Sequence, residues 1–221
     1  MIKKMAISFC LVFVVITSFA TEITSTRQDP SVFTQQIIEA KVLTVLTQYK
    51  DSLKADPQPA IMQIEQNLKP YINISVMSSY VIPPEIWNAA SVEDQQRFQN
   101  VFFDFIASVY GSAVKSFQNN GFIFRPMRDD NWKTAKRVMV YSTITNADGT
   151  PGIGVSYVLG EYDGRWMFLD FVVEGSISAI QSIKQQIQSI IQQKQAEYSS
   201  RPLELNDITT VIEAHVQNTV S

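Results

Sequence analysis

Cysteine is nearly absent from this chain: the single Cys10 sits inside an N-terminal apolar run. Histidine is just as scarce, with His215 alone near the C-terminus. Together these scarcities exclude a disulfide framework, a thiolate metal site and paired imidazole ligands, and they leave catalysis by a histidine base with one remote candidate. That imidazole is expected to be solvated on a peripheral helix. No Gly-rich phosphate loop, nucleophile elbow or paired metal-ligand motif is present. Cations are not clustered. Beyond Lys3 and Lys4 the chain has 16 basic residues against 21 acidic ones, a net charge near −5. Nucleic acid is therefore not an expected partner, because phosphate-backbone binding needs clustered Lys and Arg.

Long apolar runs are missing after the first twenty residues. Those twenty read as a secretory signal. Lys3 and Lys4 make a positive start, Met5 to Ile16 form an apolar stretch too short to span a bilayer comfortably, and Thr17-Ser18-Phe19-Ala20 supplies the small residues of a cleavage site. Bulky Phe9 before Cys10 argues against a lipoprotein. Cleavage is expected after Ala20, and a cysteine-free exported chain points to a bacterial periplasm. The mature segment 21–221 reads as one domain, long enough to bury a core without disulfides.

Residues 21–28 read as a polar leader. Asp29-Pro30 then marks a helix start, with Phe33, Ile37, Val42, Val45, Leu46, Tyr49 and Leu53 at helical spacing until Pro57 and Pro59. A shorter helix follows from Ala60 to Leu68. The segment from Tyr71 to Tyr80 has no clear period, and Pro83-Pro84 breaks it. Ser91 with Asp94 resembles a capping box. It opens the longest amphipathic pattern, Phe98, Val101, Phe102, Phe105, Ile106, Val109, Ala113 and Phe117, which is expected to end at Asn119-Asn120-Gly121 with Gly121 as a left-handed cap.

Phe122–Met127, Thr134–Thr145, Gly152–Tyr162 and Arg165–Glu174 read as strands, with Gly175 ending the last. Asp163-Gly164 favours a type I′ hairpin turn, and short turns throughout imply an antiparallel meander. A Gln-rich helix with an Ile180, Ile183, Ile187, Ile190 and Ile191 stripe follows. A last short helix, capped by Asp207, belongs to a C-terminal extension over about 198–221. The fold class is α+β, one four-stranded sheet with several helices. The aromatic helix face fits a filled core or the wall of a cavity, and composition leaves both open. Asp170, between Leu169 and Phe171, is the one carboxylate that fits either a desolvated base or a structural role.

Two segments carry a family resemblance. Leu68-Lys69-Pro70-Tyr71 is followed by Ile86-Trp87-Asn88-Ala89-Ala90-Ser91-Val92-Glu93-Asp94-Gln95, then Phe98, Phe105 and Tyr110. Further on, Gly164-Arg165-Trp166-Met167-Phe168-Leu169-Asp170-Phe171-Val172-Val173-Glu174-Gly175 precedes Ser178, Lys184 and Ile187. The pattern, from about Val32 to Gln195, resembles the MlaC, or toluene-tolerance, family of periplasmic phospholipid carriers. Pro83-Pro84, Asn88 and the stretch Arg201–Ser221 depart from it.

The resemblance implies an NTF2-like curved antiparallel sheet whose helices enclose an apolar pocket. It implies phospholipid as cargo with no cofactor, no metal and no catalytic residue. The implied partners are a membrane-bound transporter's substrate-binding component and an outer-membrane lipoprotein complex. Candidate lining residues are Val76, Tyr80, Trp87, Phe98, Phe102, Ile106, Tyr110, Ile183 and Ile187 from helices, and Val140, Val155, Tyr157, Trp166 and Phe168 from strands. An isomerase or hydratase using Asp170, and an envelope-assembly factor with a filled core, are the competing readings.

Overall fold

The computed structural model describes residues 28–117, 120–174, 178–198 and 201–220. The signal segment, most of the leader, Asn119 and Gly175 lie outside these residues. Asp29 opens the first helix as expected, its carboxylate accepting the N–H groups of Ser31 and Val32. Helix α1 (Pro30–Ile37) runs through a π-helical segment (Ile38–Leu43) into α2 (Thr44–Tyr49), so the three form one rod. The widened turn is stabilised where the Thr44 hydroxyl donates to the Glu39 carbonyl at 2.9 Å.

Helix α3 (Gln58–Leu68) follows the two prolines, and a 3₁₀ turn (Lys69–Tyr71) ends it. The segment of unclear period is a helix, α4 (Ile74–Val81), started by the Asn73 side chain accepting the Val76 N–H. Pro83-Pro84 ends α4 and begins α5 (Pro84–Ala89), since a proline without an N–H costs nothing in a first turn. Ser91 caps α6 (Val92–Tyr110), accepting the Asp94 N–H at 3.1 Å and donating to the Asp94 carboxylate at 2.6 Å.

The end of this helix differs from expectation. The α-helix stops at Tyr110, and the chain tightens into a 3₁₀ segment, Gly111–Ser116. Gly121 is not among the residues with positive φ; it donates its N–H to the Thr145 hydroxyl beside the sheet instead. A Cβ at Gly111 would meet Ile61 Cδ1 at 3.0 Å, so α3 crosses this point closely.

The four strands are β1 (Phe122–Phe124), β2 (Arg137–Thr145), β3 (Pro151–Tyr162) and β4 (Arg165–Val173). They pair antiparallel in the order β1-β2-β3-β4, the expected meander, as an open sheet. The first two are shorter than the sequence suggested, because Asp130–Lys133 form a 3₁₀ turn ahead of β2. Asp163 and Gly164 take φ of 50° and 77°, the two positive values a type I′ turn needs. Val140, Val155, Tyr157, Leu159 and Trp166 are buried on the helix side of the sheet, while Ile123, Met139 and Tyr141 are exposed.

Helix α7 (Ala179–Glu197) is capped by Ser178, which accepts the Gln181 N–H. The last helix is larger than expected. Helix α8 (Leu205–Val220) packs along α6, with Leu205, Ile208 and Ile212 almost fully buried. Asp207 lies within its first turn, where it accepts bonds from Arg201 and the Glu204 N–H. The C-terminal segment is thus part of the main core, and His215 meets the Phe105 ring edge-on at 5.5 Å.

Asp170 joins the sheet to α7. Its carboxylate accepts the Phe171 N–H at 2.8 Å and the buried Ile180 N–H at 3.0 Å, so a negative charge meets the N-terminal turn of α7. The structural role is the one observed. Replacing Asp170 by Ala leaves the Ile180 N–H without this acceptor and costs about 1–3 kcal/mol. Asn retains an oxygen acceptor and costs less. Urea unfolding measures both, and an Asp170→Ala protein as stable as the parent contradicts this role.

Candidate functional site

Helix α6 is apolar on two faces. Phe98, Phe102 and Phe105 point toward α7 and α8, where Ile183, Ile187, Ile191, Ile208 and Ile212 complete a filled core. Phe98 and Phe102 stack at 5.4 Å. The other face carries Phe103, Ile106, Ala107 and Tyr110, and it borders a cavity of about 290 Å³ that is partly open to solvent.

Helix α3 forms the opposite wall with Ile61, Ile64, Glu65 and Leu68, spaced i, i+3, i+4 and i+7 on one face. The sheet contributes Tyr157, Phe168, Asp170 and Phe171 as the floor. Ile38 from the π-helical segment, Ile72, Met77, Gly111 and Val114 close the remaining sides. The lining is almost wholly hydrocarbon and aromatic carbon, the environment that takes acyl chains and rejects solutes in need of polar partners.

Of the residues singled out from the sequence, Ile106, Tyr110, Tyr157 and Phe168 border this cavity. Phe98, Phe102, Ile183 and Ile187 lie in the filled core behind α6, with Trp87 edge-on to Phe98 at 6.1 Å. Val140, Val155 and Trp166 are buried at the sheet, where the Trp166 indole donates to the Gln28 carbonyl at 2.9 Å. Val76 and Tyr80 are substantially exposed; the Tyr80 hydroxyl accepts from Gln181, and the Lys184 ammonium sits 4.1 Å from its ring centroid. The sequence reading omitted the α3 wall and Phe103. A run of five residues with four apolar ones, Phe102, Phe103, Phe105 and Ile106, was the available signal, since a helix apolar beyond one stripe is covered on two sides.

Few polar groups reach the cavity, and most are occupied. The Tyr110 hydroxyl donates to the Ala179 carbonyl at 3.1 Å, and its ring meets Phe171 at 5.0 Å. Burial pushes the Tyr157 phenol up to about 12, so it stays neutral. Glu65 differs: it is half-buried, lines the cavity, and marks where the lining meets water. Burial first, then the nearby Asp104 carboxylate, raises its pKa. Burial raises that of Asp104 as well, partly offset by Lys69.

The chain matches the family model described as MlaC protein over residues 36–204, more than half its length. It belongs to the MlaC family. A curated relative, the toluene tolerance protein Ttg2D of Pseudomonas putida, is 25% identical over 126 residues, which are 57% of this chain and 57% of that protein. The alignment thus spans little more than half of the relative's length. Among solved structures, a phospholipid-binding protein from Ralstonia solanacearum, determined in complex with a phospholipid, superposes with a TM-score of 0.71. It is 17% identical, and the match covers 88% of this chain and all of that one. At that identity the likeness establishes a shared MlaC-like α+β fold.

The raised carboxyls give a pH signature. A carboxyl whose folded pKa lies above its unfolded value holds its proton more tightly in the folded state, so its contribution is fully present below the unfolded pKa and is lost as pH rises through the folded value. Glu65→Gln therefore raises the melting temperature at pH 7, by no more than ~2 °C for a group this exposed. The gain disappears below about pH 4. Thermal melts at the two pH values check this, and a Glu65→Gln protein less stable at pH 7 contradicts it.

Proposed function

We propose that this MlaC-family protein is a periplasmic lipid carrier that holds phospholipid acyl chains in the cavity between α3, α6 and the sheet. On this reading it shuttles them between a membrane-bound transporter's substrate-binding component and an outer-membrane lipoprotein complex, after removal of its signal at Ala20. The observation that carries the reading is the hydrocarbon lining itself: a partly vacant apolar interior beside a separate, filled core. Family membership and the phospholipid bound by the Ralstonia solanacearum protein of the same fold support it.

The energetics suit a carrier. A water occupies about 30 Å³ and a methylene is of similar size, so 290 Å³ holds at least about ten methylenes. At ~0.8 kcal/mol each they contribute about 8 kcal/mol relative to water, before the costs of association. A bilayer buries the same methylenes, so exchange between membrane and cavity is close to balanced. Loading and unloading are then both accessible, with direction set by the partners. A second chain requires α3 to move outward. Its ends at Pro57-Gln58-Pro59 and at the 3₁₀ turn containing Pro70 are the places where the chain leaves regular helix.

Filling the cavity tests the reading. Ala107 faces it from α6, and Ala107→Trp places an indole where a chain would lie. The variant is expected to fold, with far-UV circular dichroism unchanged, and to lose at least about tenfold in the rate at which it moves fluorescent phospholipid between two vesicle populations. Unchanged transfer by a folded Ala107→Trp protein would place the cargo elsewhere.

A further inference from the structure

Glu65, Asp104 and Lys69 stand together where α3 faces α6. Glu65 lines the cavity, and Lys69 follows it by four residues, one helical turn further on. The Lys69 ammonium lies 5.6 Å from the ring centroid of Phe103, so it reaches across the gap to the cavity wall of α6. Asp104 is the next residue on that helix. Lys69 and Asp104 are exposed and Glu65 is half-buried. The five ion pairs found among the described residues involve none of the three.

We propose that these three groups are a head-group subsite, in which Lys69 receives the phosphate of a zwitterionic phospholipid and Glu65 and Asp104 receive its terminal ammonium. The proposal rests on the carrier reading above and names the lipid class that the cavity prefers. It follows from charge order at one rim: a cation and two carboxylates, near enough to feel one another but in no direct ion pair among the described residues, beside an opening whose depth is hydrocarbon. A chain seated in the cavity leaves its polar end at Glu65, the one lining residue that is both charged and in contact with water. An ethanolamine head group supplies an ammonium for the carboxylates. A glycerol head group leaves them facing a net negative lipid with no cation to offset it. The elevated pKa of each carboxyl fits this role, because both groups oppose stability in the free protein and gain a cationic partner on loading.

The test is a competition. Protein freed of lipid is incubated with vesicles containing equal amounts of dioleoyl-phosphatidylethanolamine and dioleoyl-phosphatidylglycerol, and the bound species are weighed by native mass spectrometry. The full-length mature chain is expected to take the ethanolamine lipid in about tenfold preference, a ratio consistent with two partly exposed ion pairs. Glu65→Gln combined with Asp104→Asn is expected to bring that ratio to about one. Glu65→Lys combined with Asp104→Lys is expected to invert it, which guards against loss through misfolding. Lipid bound by the parent without preference, or preference retained in both double variants, overturns the head-group subsite and leaves the carrier reading intact. No lipid bound by the parent at all overturns both.

Discussion

Packing on the two sides of helix α6 is unequal, and the rest of the molecule follows from that inequality. On one side, phenylalanine rings pack against isoleucines from α7 and α8 and are almost fully buried; on the other, Phe103, Ile106 and Tyr110 border a cavity. A helix half-matched in this way is stable only because the matched side contributes enough. Burying each large side chain there is worth roughly 1.5–3 kcal/mol. The filled core of α6, α7 and α8 is thus the foundation on which an incompletely packed cavity can be maintained. Asp170 and Tyr110 link the two regions, since both bond to the first turn of α7 while bordering the cavity.

The division also explains why so little of the chain carries recognisable chemistry. On the proposed carrier reading no bonds are made or broken, and selectivity comes from the shape of an apolar interior and from the charges at its rim. Asp170, the one buried carboxylate among the described residues, is bonded to backbone N–H groups. The rim charges Glu65, Asp104 and Lys69 belong to none of the ion pairs found among the described residues, and Lys69 lies over the Phe103 ring.

Local signals in the sequence were legible where one residue's chemistry dictates one conformation. Asp29, Ser91 and Ser178 cap helices, Asp163-Gly164 makes its hairpin turn, and the meander order of the strands follows from short connections. The family and the α+β class were legible for the same reason, since the motifs sit at these turns and strand ends. What periodicity alone could not provide was the partner of each face. Phe98 and Phe102 belong to the same stripe as Ile106, yet they meet α8, whose length and burial its polar-looking sequence did not announce. Val76 and Met77 are adjacent in α4, but only Met77 reaches the cavity, because successive helical residues differ by about 100°. Residues 74–81 had no clear period because so short a helix, buried at Ser78 and Val81, offers barely two turns to read.

The central claim is that hydrocarbon from another molecule completes this interior. The most direct measurement is a crystal structure of protein purified from a periplasm without detergent. The account predicts continuous density for an acyl chain in van der Waals contact with Ile64, Ile106 and Phe168. An interior closed by the protein's own side chains, with those three residues packed against one another and no chain between them, would contradict it.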